Sequence, residues 1–473
     1  MENSNNCCCC QKLTEKIEIP DILRQMNKIF VQNGFEAYLV GGAVRDILMG
    51  QNASDWDVTT NAKPDDVMRI FKKVIPTGIE HGTVTVRFMK TSIEVTTFRN
   101  EGKYTDGRHP DNVSFCASLE EDLSRRDFTV NAIAAELESG KIIDPFGGRK
   151  DILSKIIRTV GNPVERFSED GLRTVRAVRF AAKLGFQIDE ATFFAIPMCL
   201  EKTKSVSIER FRDEFCKMLL SPKPSLALRL MEHTGIMELF LRELLTARGC
   251  IQADFRKFHT YDVLDHLYTA CDASTIYAKG NLIIALAALF HDIGKVQAKK
   301  VTDEGKITFY NHEIYSEKIC RSIMTRLKFS NEQIENVCHL VKEHMFHYES
   351  NWSDGAVRRF IVRVGKENIE KLFALRMCDV YGKDGKEPSS NDENMILLDE
   401  LKNRIANELE TSNALTLKNM AVNGNDLMKS GIKEGKKIGI ILNLLLEKIL
   451  DNPKLNDKET LLKLAIEANR QIS

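Results

Sequence analysis

Two acidic residues at the start of a predicted strand are the side chains best suited to chemistry in this sequence. Asp55 and Asp57 flank Trp56, and because side chains alternate along a strand, the two carboxylates share one face. Magnesium prefers oxygen ligands and keeps several of its waters, so two carboxylates and substrate phosphates together are enough to bind it. This acid pair therefore predicts a magnesium site that acts on phosphates.

A phosphate site is predicted directly before the acid pair. Gly41 and Gly42 end an apolar run and precede a predicted helix, whose free N–H groups and dipole attract phosphate. Arg45 is near enough in sequence to add positive charge. Glu94, on a predicted neighbouring strand, either joins the metal site as a third acid or stands exposed on the sheet. Each motif alone also fits a solvated turn or strand, but their order together indicates triphosphate binding.

The overall composition gives no general electrostatic attraction to nucleic acid. In 473 residues, Lys+Arg and Asp+Glu both number 67, so an RNA partner must meet local basic patches. The longest apolar run, residues 282–290, is too short to span a bilayer. We therefore expect a soluble, cytoplasmic protein without membrane contact, and we infer no obligate protein partner. The adjacent cysteines Cys7 to Cys10 lack zinc-site spacing and are expected to lie in an inessential tail.

Local patterns divide the chain into a mixed α/β region and a longer helical remainder. The first region combines a predicted helix with short β-rich runs, at residues 22–33, 37–40, 56–60, 83–88 and 93–98. A long polar loop, expected to be mobile, lies at residues 99–115. The predicted divisions are a disordered tail (1–20), a head (21–155), a helical neck and connection (156–254), a second helical domain (255–386) and a C-terminal helical region (387–473).

Three further motifs make a family resemblance specific. They are Arg125-Arg126-Asp127-Phe128-Thr129-Val130-Asn131, Asp144-Pro145-Phe146-Gly147-Gly148 and Glu169-Asp170-Gly171-Leu172-Arg173. With the earlier motifs and in this order, over about residues 37–220, the chain resembles class II tRNA nucleotidyltransferases and bacterial poly(A) polymerases. The resemblance implies an α+β multidomain fold. Its polymerase-beta-type nucleotidyltransferase head, of mixed sheet plus helices, would be followed by all-helical neck, HD and C-terminal regions.

The resemblance also implies roles for individual residues. The acid pair would be catalytic and would bind Mg²⁺ in a two-metal nucleotidyl transfer. Asp170 and Arg173, one helical turn apart, would read the pairing edge of the incoming base. Glu209 and Arg210 resemble a motif that closes the neck and are expected to be structural. The predicted nucleotide-binding residues are Gly41, Gly42, Arg45, Arg126, Asp127, Asn131, Asp170, Arg173, Arg176 and Arg179.

The arginines that follow Asp170 have two explanations on composition alone. Arg173, Arg176 and Arg179 recur at a spacing of three along a predicted helix. That spacing suits contact with RNA phosphates, and it suits equally a solvated stripe that pairs with Glu169 and Asp170.

The resemblance favours CCA addition over poly(A) tailing. Residues 78–86 and 104–115, the latter including Arg108-His109-Pro110, resemble the CCA-adding branch. That branch implies CTP and ATP as substrates and a tRNA lacking part or all of its 3′ CCA as the acceptor. A poly(A) polymerase and an enzyme that adds only the two cytidines are the alternatives. Lys433, Lys436 and Lys437 are candidate phosphate contacts in the C-terminal region, where a solvated basic turn is the alternative.

A second set of histidines and acids, from His259 onward, resembles the HD phosphohydrolase family over about residues 259–381. Imidazole and carboxylate ligands suit a transition metal such as Mn, Ni, Fe or Co. The implied activity is phosphoester hydrolysis, with a purely structural metal as the alternative. Two further alternatives are an HD hydrolase whose head only senses nucleotide, and a noncatalytic tRNA-binding module. The implied ligands of one metal are His266, His291, Asp292 and Asp379, and His312 and His344 would complete a second site.

Overall fold

Short strands that alternate buried and exposed residues build a mixed sheet in the N-terminal part of the protein. The computed structural model describes residues 15–53, 55–79, 82–101, 113–115, 118–252, 261–389, 391–411, 419–432 and 435–472. Its first strands are β1 (Ala37–Val40), β2 (Trp56–Thr60), β3 (Val74–Gly78), β4 (Thr83–Phe88), β5 (Thr91–Thr97), β6 (Arg99–Glu101), β7 (Val113–Phe115), β8 (Ala134–Glu136) and β9 (Ile142–Ile143).

Seven of these strands form one sheet, in the order β3-β4-β5-β2-β1-β8-β9. β2 and β5 are parallel, whereas the other neighbouring pairs are antiparallel. On β5, Ile93 and Val95 are buried while Ser92 and Glu94 are exposed, as expected for a sheet with one covered face. The predicted mixed sheet is confirmed. β6 and β7 pair with each other at the two ends of the predicted polar loop, and residues 102–112 lie outside the described part of the chain.

Helices of the head pack onto this sheet or connect its strands. In the first helix, Leu23, Met26 and Phe30 recur at helical spacing and are fully buried, which explains why this segment folds as an amphipathic helix. The helices of the head are α1 (Asp21–Gln32), α2 (Gly42–Leu48), α3 (Pro64–Ile70), α4 (Leu119–Ser124) and α5 (Gly148–Ser154), with a 3₁₀ turn at Thr129–Asn131.

The predicted disordered tail is wrong for its last residues. Residues 15–20 are described, and Ile17 and Ile19 are buried. The Ile17 N–H donates to the Gly140 carbonyl at 2.9 Å, and the Ile142 N–H donates to the Glu15 carbonyl at 3.0 Å. Two alternating isoleucines therefore hold this segment along the end of the sheet. Cys7 to Cys10 lie outside the described residues.

The neck that follows is helical, with one departure from the predicted all-helical structure. A two-residue parallel pairing joins β10 (Ile156–Ile157) to β11 (Gln187–Ile188). Each strand has only two residues, and helices precede and follow both strands in the sequence. These helices are α6 (Pro163–Glu169), α7 (Leu172–Leu184), α8 (Glu190–Met198), α9 (Leu200–Lys204), α10 (Ile208–Leu219), α11 (Pro224–His233), α12 (Ile236–Phe240) and α13 (Arg242–Leu245).

The chain divides into two compact units, Met1–Leu245 with Arg326–Lys328, and Thr246–Thr325 with Phe329–Ser473. The finer predicted divisions stay predictions. The second unit is helical apart from the short hairpin of β12 (Lys300–Val301) and β13 (Ile307–Thr308), which the all-helical prediction missed. Its helices are α14 (Val263–Tyr277), α15 (Leu282–Phe290), α16 (Lys295–Ala298), α17 (His312–Arg326), α18 (Asn331–Glu343), α19 (Asp354–Val364), α20 (Ile369–Gly382), α21 (Glu393–Thr411), α22 (Gly424–Lys429), α23 (Lys436–Asp451) and α24 (Lys458–Gln471), with 3₁₀ turns at Lys366–Asn368 and Pro453–Leu455.

An unbroken apolar run forms the centre of the second unit. Residues 284–290 of α15 are all buried, and the Asn281 side chain caps the helix by accepting a hydrogen bond from the Ile283 N–H. Helices α14, α18 and α20 pack around α15. Among the described residues, no helix is both long and apolar enough to cross a membrane.

Candidate functional site

The glycine turn after β1 lies directly against the second member of the acid pair. The antiparallel register places Val40 opposite Asp57, so the chain enters Gly41 beside that carboxylate. A Cβ atom on Gly41 would lie 3.4 Å from Asp57 Oδ2 and 3.0 Å from Arg126 Nη1. Gly41 also has φ of 73°, which L side chains rarely adopt. Glycine is therefore required here by both backbone conformation and space.

Two further acids lie near Asp57 at the start of β2, where the sequence predicts a cation site. Glu94 is the register partner of Asp57 on the parallel strand β5, and Asp55 immediately precedes β2. Burial raises the pKa of Asp57 to about 6, and the charges of Glu94 and Asp55 add to this rise against the opposing charge of Arg126. Since the carboxylates disfavour one another, a divalent cation bound between them would relieve the repulsion. The donor set of carboxylate oxygens fits Mg²⁺.

Arg126 reaches this site from the C-terminal end of α4. Its neighbour Arg125 binds the fully buried Asp122 through Nε at 3.0 Å and Nη2 at 2.8 Å, and Thr59 donates to the same carboxylate. Arg126 stays farther from Asp122, at 3.6 Å, and its buried Nε atom has no hydrogen-bond partner within the described residues. Asp122 and Thr59 were missed from the sequence, because nothing local links α4 to the strand that carries Asp57.

A buried hydrogen-bond chain joins the head to the neck through four predicted nucleotide-binding residues. Arg45 donates from Nη1 to Asn131 Oδ1 at 2.5 Å, and Asn131 donates from Nδ2 to Asp127 Oδ1 at 3.1 Å. Arg176 of the neck then donates from Nε to Asp127 Oδ2 at 2.7 Å. Arg45 is 3% exposed and also bonds Asp46, so its guanidinium is committed to protein partners. These contacts hold Arg45 in place beside Asn131, and its role in phosphate binding stays a prediction.

The pKa of Asp127 allows this hydrogen-bond chain to be tested through the pH dependence of folding stability. Burial alone would raise its pKa, but Arg176 and Asn131 outweigh burial and hold the pKa at about 2. A carboxyl group whose pKa is depressed in the folded state stabilises the fold above its unfolded pKa and loses that effect as pH falls. We expect Asp127→Asn to cost roughly 2 kcal/mol above pH ~5 and about half of that near pH 3.

Denaturant unfolding at both pH values measures this difference, with the exposed Asp213→Asn as the control that stays near wild type. An equal cost of Asp127→Asn at both pH values would contradict the assignment.

The predicted base-reading residues lie at the junction of α6 and α7. Arg173 pairs with Glu169 and donates to the backbone carbonyls of Arg166 at 3.2 Å and Arg125 at 3.0 Å. Asp170 accepts from the Leu172 N–H at 3.0 Å, and its carboxylate is held by Arg210. The residues after Asp170 come close to another segment, since a Cβ on Gly171 would lie 2.3 Å from the Lys202 carbonyl oxygen.

The solvated-stripe explanation of the arginines does not hold for Arg179. Its guanidinium is buried, pairs with Glu214 of α10 and lies 3.9 Å from the centre of the Phe180 ring. Arg176 faces Asp127, which is 49 residues away in sequence. The solvated-stripe explanation is therefore wrong for Arg179, whereas Arg173 does pair with Glu169 as that explanation expected. The nucleotide contacts of Arg176 and Arg179 stay predictions.

In the second unit, six predicted ligands converge in what we call the histidine–aspartate cluster. It contains His266 of α14, His291 and Asp292 after α15, His312 at the start of α17, His344 after α18 and Asp379 of α20. His266, His291, Asp292 and Asp379 form one group, and Asp292, His312 and His344 form another, with ligand atoms in each group within 4.8 Å of one another. All six residues are buried.

Asp292 is shared by the two groups. Its Oδ2 lies 3.2 Å from His266 Nε2, while its Oδ1 lies 3.0 Å from His312 Nε2 and 3.5 Å from His344 Nε2. One carboxylate thus presents a separate oxygen to each set of imidazoles, which is the arrangement of a bridging ligand. His259, where the predicted motif begins, lies outside the described residues.

Backbone carbonyls orient the imidazoles. The Nδ1 atoms of His291, His312 and His344 lie 2.9, 2.8 and 2.6 Å from the carbonyl oxygens of Ala288, Phe309 and Val341. A carbonyl only accepts, so each Nδ1 carries the proton and each Nε2 points into the cluster, as in metal sites. Burial opposes a charged imidazole, yet the Asp292 and Asp379 carboxylates raise the pKa of His291 to about 10. A bound divalent cation would supply the positive charge that the proton on His291 otherwise provides to the two carboxylates.

A cavity of about 570 Å³ opens beside the cluster. Asp292, His312 and Asp379 contribute to its wall, together with the cationic side chains of Lys295 and Arg376. Lys295 Nζ lies 2.5 Å from Asp292 Oδ2, and Arg376 donates to Asp379 Oδ2 at 3.3 Å. The cavity therefore offers positive charge beside a metal-ligand cluster, which suits a phosphoester.

Comparison with known families accounts for most of the chain. Residues 37–158 match the poly A polymerase head domain. Residues 185–247 match the domain described as "Probable RNA and SrmB- binding site of polymerase A", and residues 302–465 match domain 2 of tRNA nucleotidyltransferases. The sheet, the glycine turn and the acid pair thus lie within the segment that matches the head domain.

Individual relatives specify the family. The chain is 34% identical to the CCA-adding enzyme of Ligilactobacillus salivarius over 435 residues, covering 91% of this chain and 92% of the relative. It therefore belongs to the CCA-adding enzyme family, as the motifs predicted. A shorter match, to the CCA-adding enzyme of Geobacillus sp. (strain WCH70), is 50% identical over 48% of this chain and 55% of the relative. The chain thus spans about half the length of several curated relatives that it matches.

Solved structures agree with this assignment. The crystal structure of the Bacillus stearothermophilus CCA-adding enzyme in complex with CTP is 29% identical, with a TM-score of 0.72, and covers 96% of this chain and 98% of that one. The Thermotoga maritima CCA-adding enzyme complexed with tRNA is 19% identical, with a TM-score of 0.53, and shares the fold over 96% of this chain and 97% of that one.

Proposed function

We propose that this protein adds CCA to the 3′ ends of tRNAs, from CTP and ATP and without a nucleic-acid template. The observation that carries the proposal is the position of Asp57, which lies against the required glycine at position 41 and the Arg126 guanidinium. Membership of the CCA-adding family supplies the acceptor and the nucleotides. The proposed location is the cytoplasm, as expected for a tRNA-processing enzyme.

In the proposed reaction, the 3′ hydroxyl oxygen of the tRNA forms a bond to the α-phosphorus of the nucleotide, and the bond to pyrophosphate breaks. Asp55 and Asp57 would hold Mg²⁺, which supplies charge neutralisation at the phosphates and activation of the attacking hydroxyl. The N–H groups at the start of α2 and the Arg126 guanidinium orient the triphosphate beside the acid pair. Asn131 and Asp127, linked to Arg45 and Arg176, fix the wall next to the sugar and phosphates.

Asp170 and Arg173 are proposed to select the base. A carboxylate accepts from the exocyclic amino groups of cytosine and adenine, and a guanidinium donates to their ring acceptors. Guanine and uracil present a carbonyl oxygen where the carboxylate needs a donor, so they are disfavoured. In this proposal, two side chains select the incoming nucleotide in place of a template base.

The proposal is tested by extension of a tRNA transcript that ends before CCA, with magnesium, CTP and ATP, beside an unrelated RNA of similar length. We expect addition to the tRNA alone. Efficient tailing of the unrelated RNA with adenosines, and no use of CTP, would overturn the proposal in favour of poly(A) polymerase. Residues 104–112, which resemble the CCA-adding branch, lie outside the described residues, so this assay carries the distinction.

We also propose that the histidine–aspartate cluster is a metal-dependent phosphohydrolase centre. The supporting observation is the shared Asp292 carboxylate between two imidazole groups, beside a cationic cavity. The ligand set suits Mn, Ni, Fe or Co. The proposed substrate is a tRNA end that carries a cyclic phosphate or a terminal phosphate. Removal of that phosphate would prepare the end for resynthesis of CCA. Well-metallated protein that is inactive on 2′,3′-cyclic phosphates and phosphomonoesters would overturn this proposal.

In the C-terminal region, Lys436 and Lys437 begin α23. They remain proposed phosphate contacts for the tRNA, whereas Lys433 lies outside the described residues.

A further inference from the structure

The cavity beside the histidine–aspartate cluster is larger than a phosphate group alone requires. Its volume is about 570 Å³. The five heavy atoms of a phosphate would fill at most about 150 Å³, if each takes about 30 Å³ as a molecule of liquid water does. Most of the cavity is therefore left for the alcohol part of a phosphoester, and the side chains of the wall indicate the chemistry of that part.

The charged side chains of the wall belong to the cluster and to its cationic neighbours. Lys295 and Arg376 contact the carboxylates of Asp292 and Asp379, and Lys383 directly follows α20 on the same wall. Cationic groups beside metal ligands would hold the phosphate of a phosphoester. Because a cation attracts any phosphate, these residues do not by themselves distinguish one alcohol part from another.

The segment that joins β13 to α17 adds an exposed aromatic ring to the wall. Five consecutive residues of this segment line the cavity, namely Ile307, Thr308, Phe309, Tyr310 and Asn311. The Tyr310 side chain is 76% exposed, the largest fraction among the exposed large hydrophobic side chains of the described residues. Aromatic faces of this kind are the surfaces on which nucleic-acid bases stack. The wall therefore combines cationic groups for a phosphate with an aromatic face for a base.

The backbone that carries this ring is fixed next to the cluster. The Phe309 carbonyl accepts from the His312 N–H at 3.2 Å and from His312 Nδ1 at 2.8 Å, so these contacts close the turn around Tyr310. Asn311 has φ of 61°, a left-handed conformation that asparagine adopts more readily than most residues. The turn that aims the His312 imidazole into the cluster thus also sets the position of the Tyr310 backbone.

We propose that the Tyr310 ring is a stacking platform for the base of a nucleoside phosphoester that is hydrolysed at the histidine–aspartate cluster. The inference rests on the proposed phosphohydrolase function, and it makes the site selective for nucleotide ends over other phosphoesters. Met345, 55% exposed on the same wall, adds apolar surface for the base. Stacking accepts every base, because each has a π-face. This tolerance suits tRNA ends that terminate in different nucleotides.

The test compares phosphoesters that differ only in the presence of a base-bearing nucleoside. One pair is adenosine 3′-phosphate and glycerol 2-phosphate, and the other is adenosine 2′,3′-cyclic phosphate and glycerol 1,2-cyclic phosphate. The protein is loaded with whichever of Mn, Ni, Fe or Co gives the highest activity. In the pair that wild type hydrolyses, we expect Tyr310→Ala to lower the adenosine/glycerol ratio of kcat/KM by about fivefold or more, as for loss of a stacked base. The glycerol ester should react as in wild type.

Two variants and a binding measurement serve as controls. Tyr310→Phe keeps the aromatic face and should keep the ratio. Tyr315→Ala should also keep it, because Tyr315 is 39% exposed on α17 but does not line the cavity. In EDTA, the fluorescence of 2-aminopurine riboside 3′-phosphate should be quenched by stacking on wild type and Tyr310→Phe, and less by Tyr310→Ala. A tRNA that ends in a cyclic phosphate, assayed beside the free nucleotide, shows which of the two is the better substrate.

A purely structural role of Tyr310 predicts something different. Equal losses for the adenosine and glycerol esters in Tyr310→Ala, or an unchanged ratio, would overturn the inference. A ratio in Tyr310→Phe as low as that in Tyr310→Ala would also contradict it, because the hydroxyl and not the ring would then be the contact. Failure of the phosphohydrolase proposal is separate, because wild type would then hydrolyse none of the four esters. The quenching alone would in that case decide whether Tyr310 binds a base.

Discussion

Asp57→Asn should abolish nucleotide addition while leaving the protein folded. The substitution keeps the shape of the side chain and removes one anionic ligand from the acid pair. Metal-ion catalysis contributes several kcal/mol to the transition state, so kcat should fall at least about a thousandfold. Single-turnover addition of CMP to a tRNA lacking CCA measures the loss, at saturating magnesium and CTP.

Although Asp57→Asn should lose activity, its thermal stability should equal or exceed that of wild type. Burial and the neighbouring charges of Glu94 and Asp55 raise the pKa of Asp57, so its ionised form costs folding free energy at neutral pH. In EDTA, Asp57→Asn should therefore melt at or above the wild-type temperature. Asp65→Asn is the matched control, an exposed acid on α3, and should keep full activity. An active Asp57→Asn protein would show that the acid pair is not the catalytic metal site.

Asp292→Asn should remove bound metal from the second unit and leave CCA addition intact. Asp292 supplies one oxygen to each group of the histidine–aspartate cluster, so both groups lose a ligand together. Phosphohydrolase activity should fall at least about a thousandfold, by the same reasoning as for the acid pair. CCA addition should stay within about twofold of wild type, because the cluster and the acid pair belong to different compact units of the chain. Elemental analysis of the purified protein gives the metal content directly.

His344→Ala and His347→Ala sharpen this experiment. His344 is a candidate ligand in the second group alone, so its loss should leave the group of His266, His291, Asp292 and Asp379 able to bind metal. His347 is 82% exposed and faces Glu349, so its substitution should change neither metal content nor hydrolysis. Unchanged metal content in Asp292→Asn would mean that the metal binds elsewhere, and the phosphohydrolase proposal would be withdrawn.

Patterns within a short stretch of sequence predicted the elements that carry both sites. The apolar run 282–290 forms helix α15, of which residues 284–290 are buried. An unbroken apolar run predicts burial by itself, without knowledge of the elements that pack against it. The acid pair lies at the start of β2, as predicted. This position could be predicted because the change from Asp57 to the buried Val58 is visible within a few residues of sequence. The alternation of Ile17 and Ile19 was an available signal for an ordered segment, and the prediction of a tail to residue 20 passed over it.

Partners from distant elements were beyond the sequence. Arg179 pairs with Glu214, 35 residues later, and Asp170 with Arg210, 40 residues later. Helical spacing says which side of α7 an arginine occupies, but not which acid α10 brings to it. The stripe of arginines therefore looked like a nucleic-acid surface or a solvated face, whereas Arg176 and Arg179 pair with acids on distant elements.

The length of the product is the most direct test of the central proposal. A tRNA transcript that ends before CCA is incubated with magnesium and with CTP alone, ATP alone or both, and the products are resolved to single nucleotides. CCA synthesis predicts two added nucleotides from CTP alone, none from ATP alone, and three from the two together, all lost in Asp57→Asn. A long ladder from ATP alone, or a stop after two nucleotides when both are present, would contradict it.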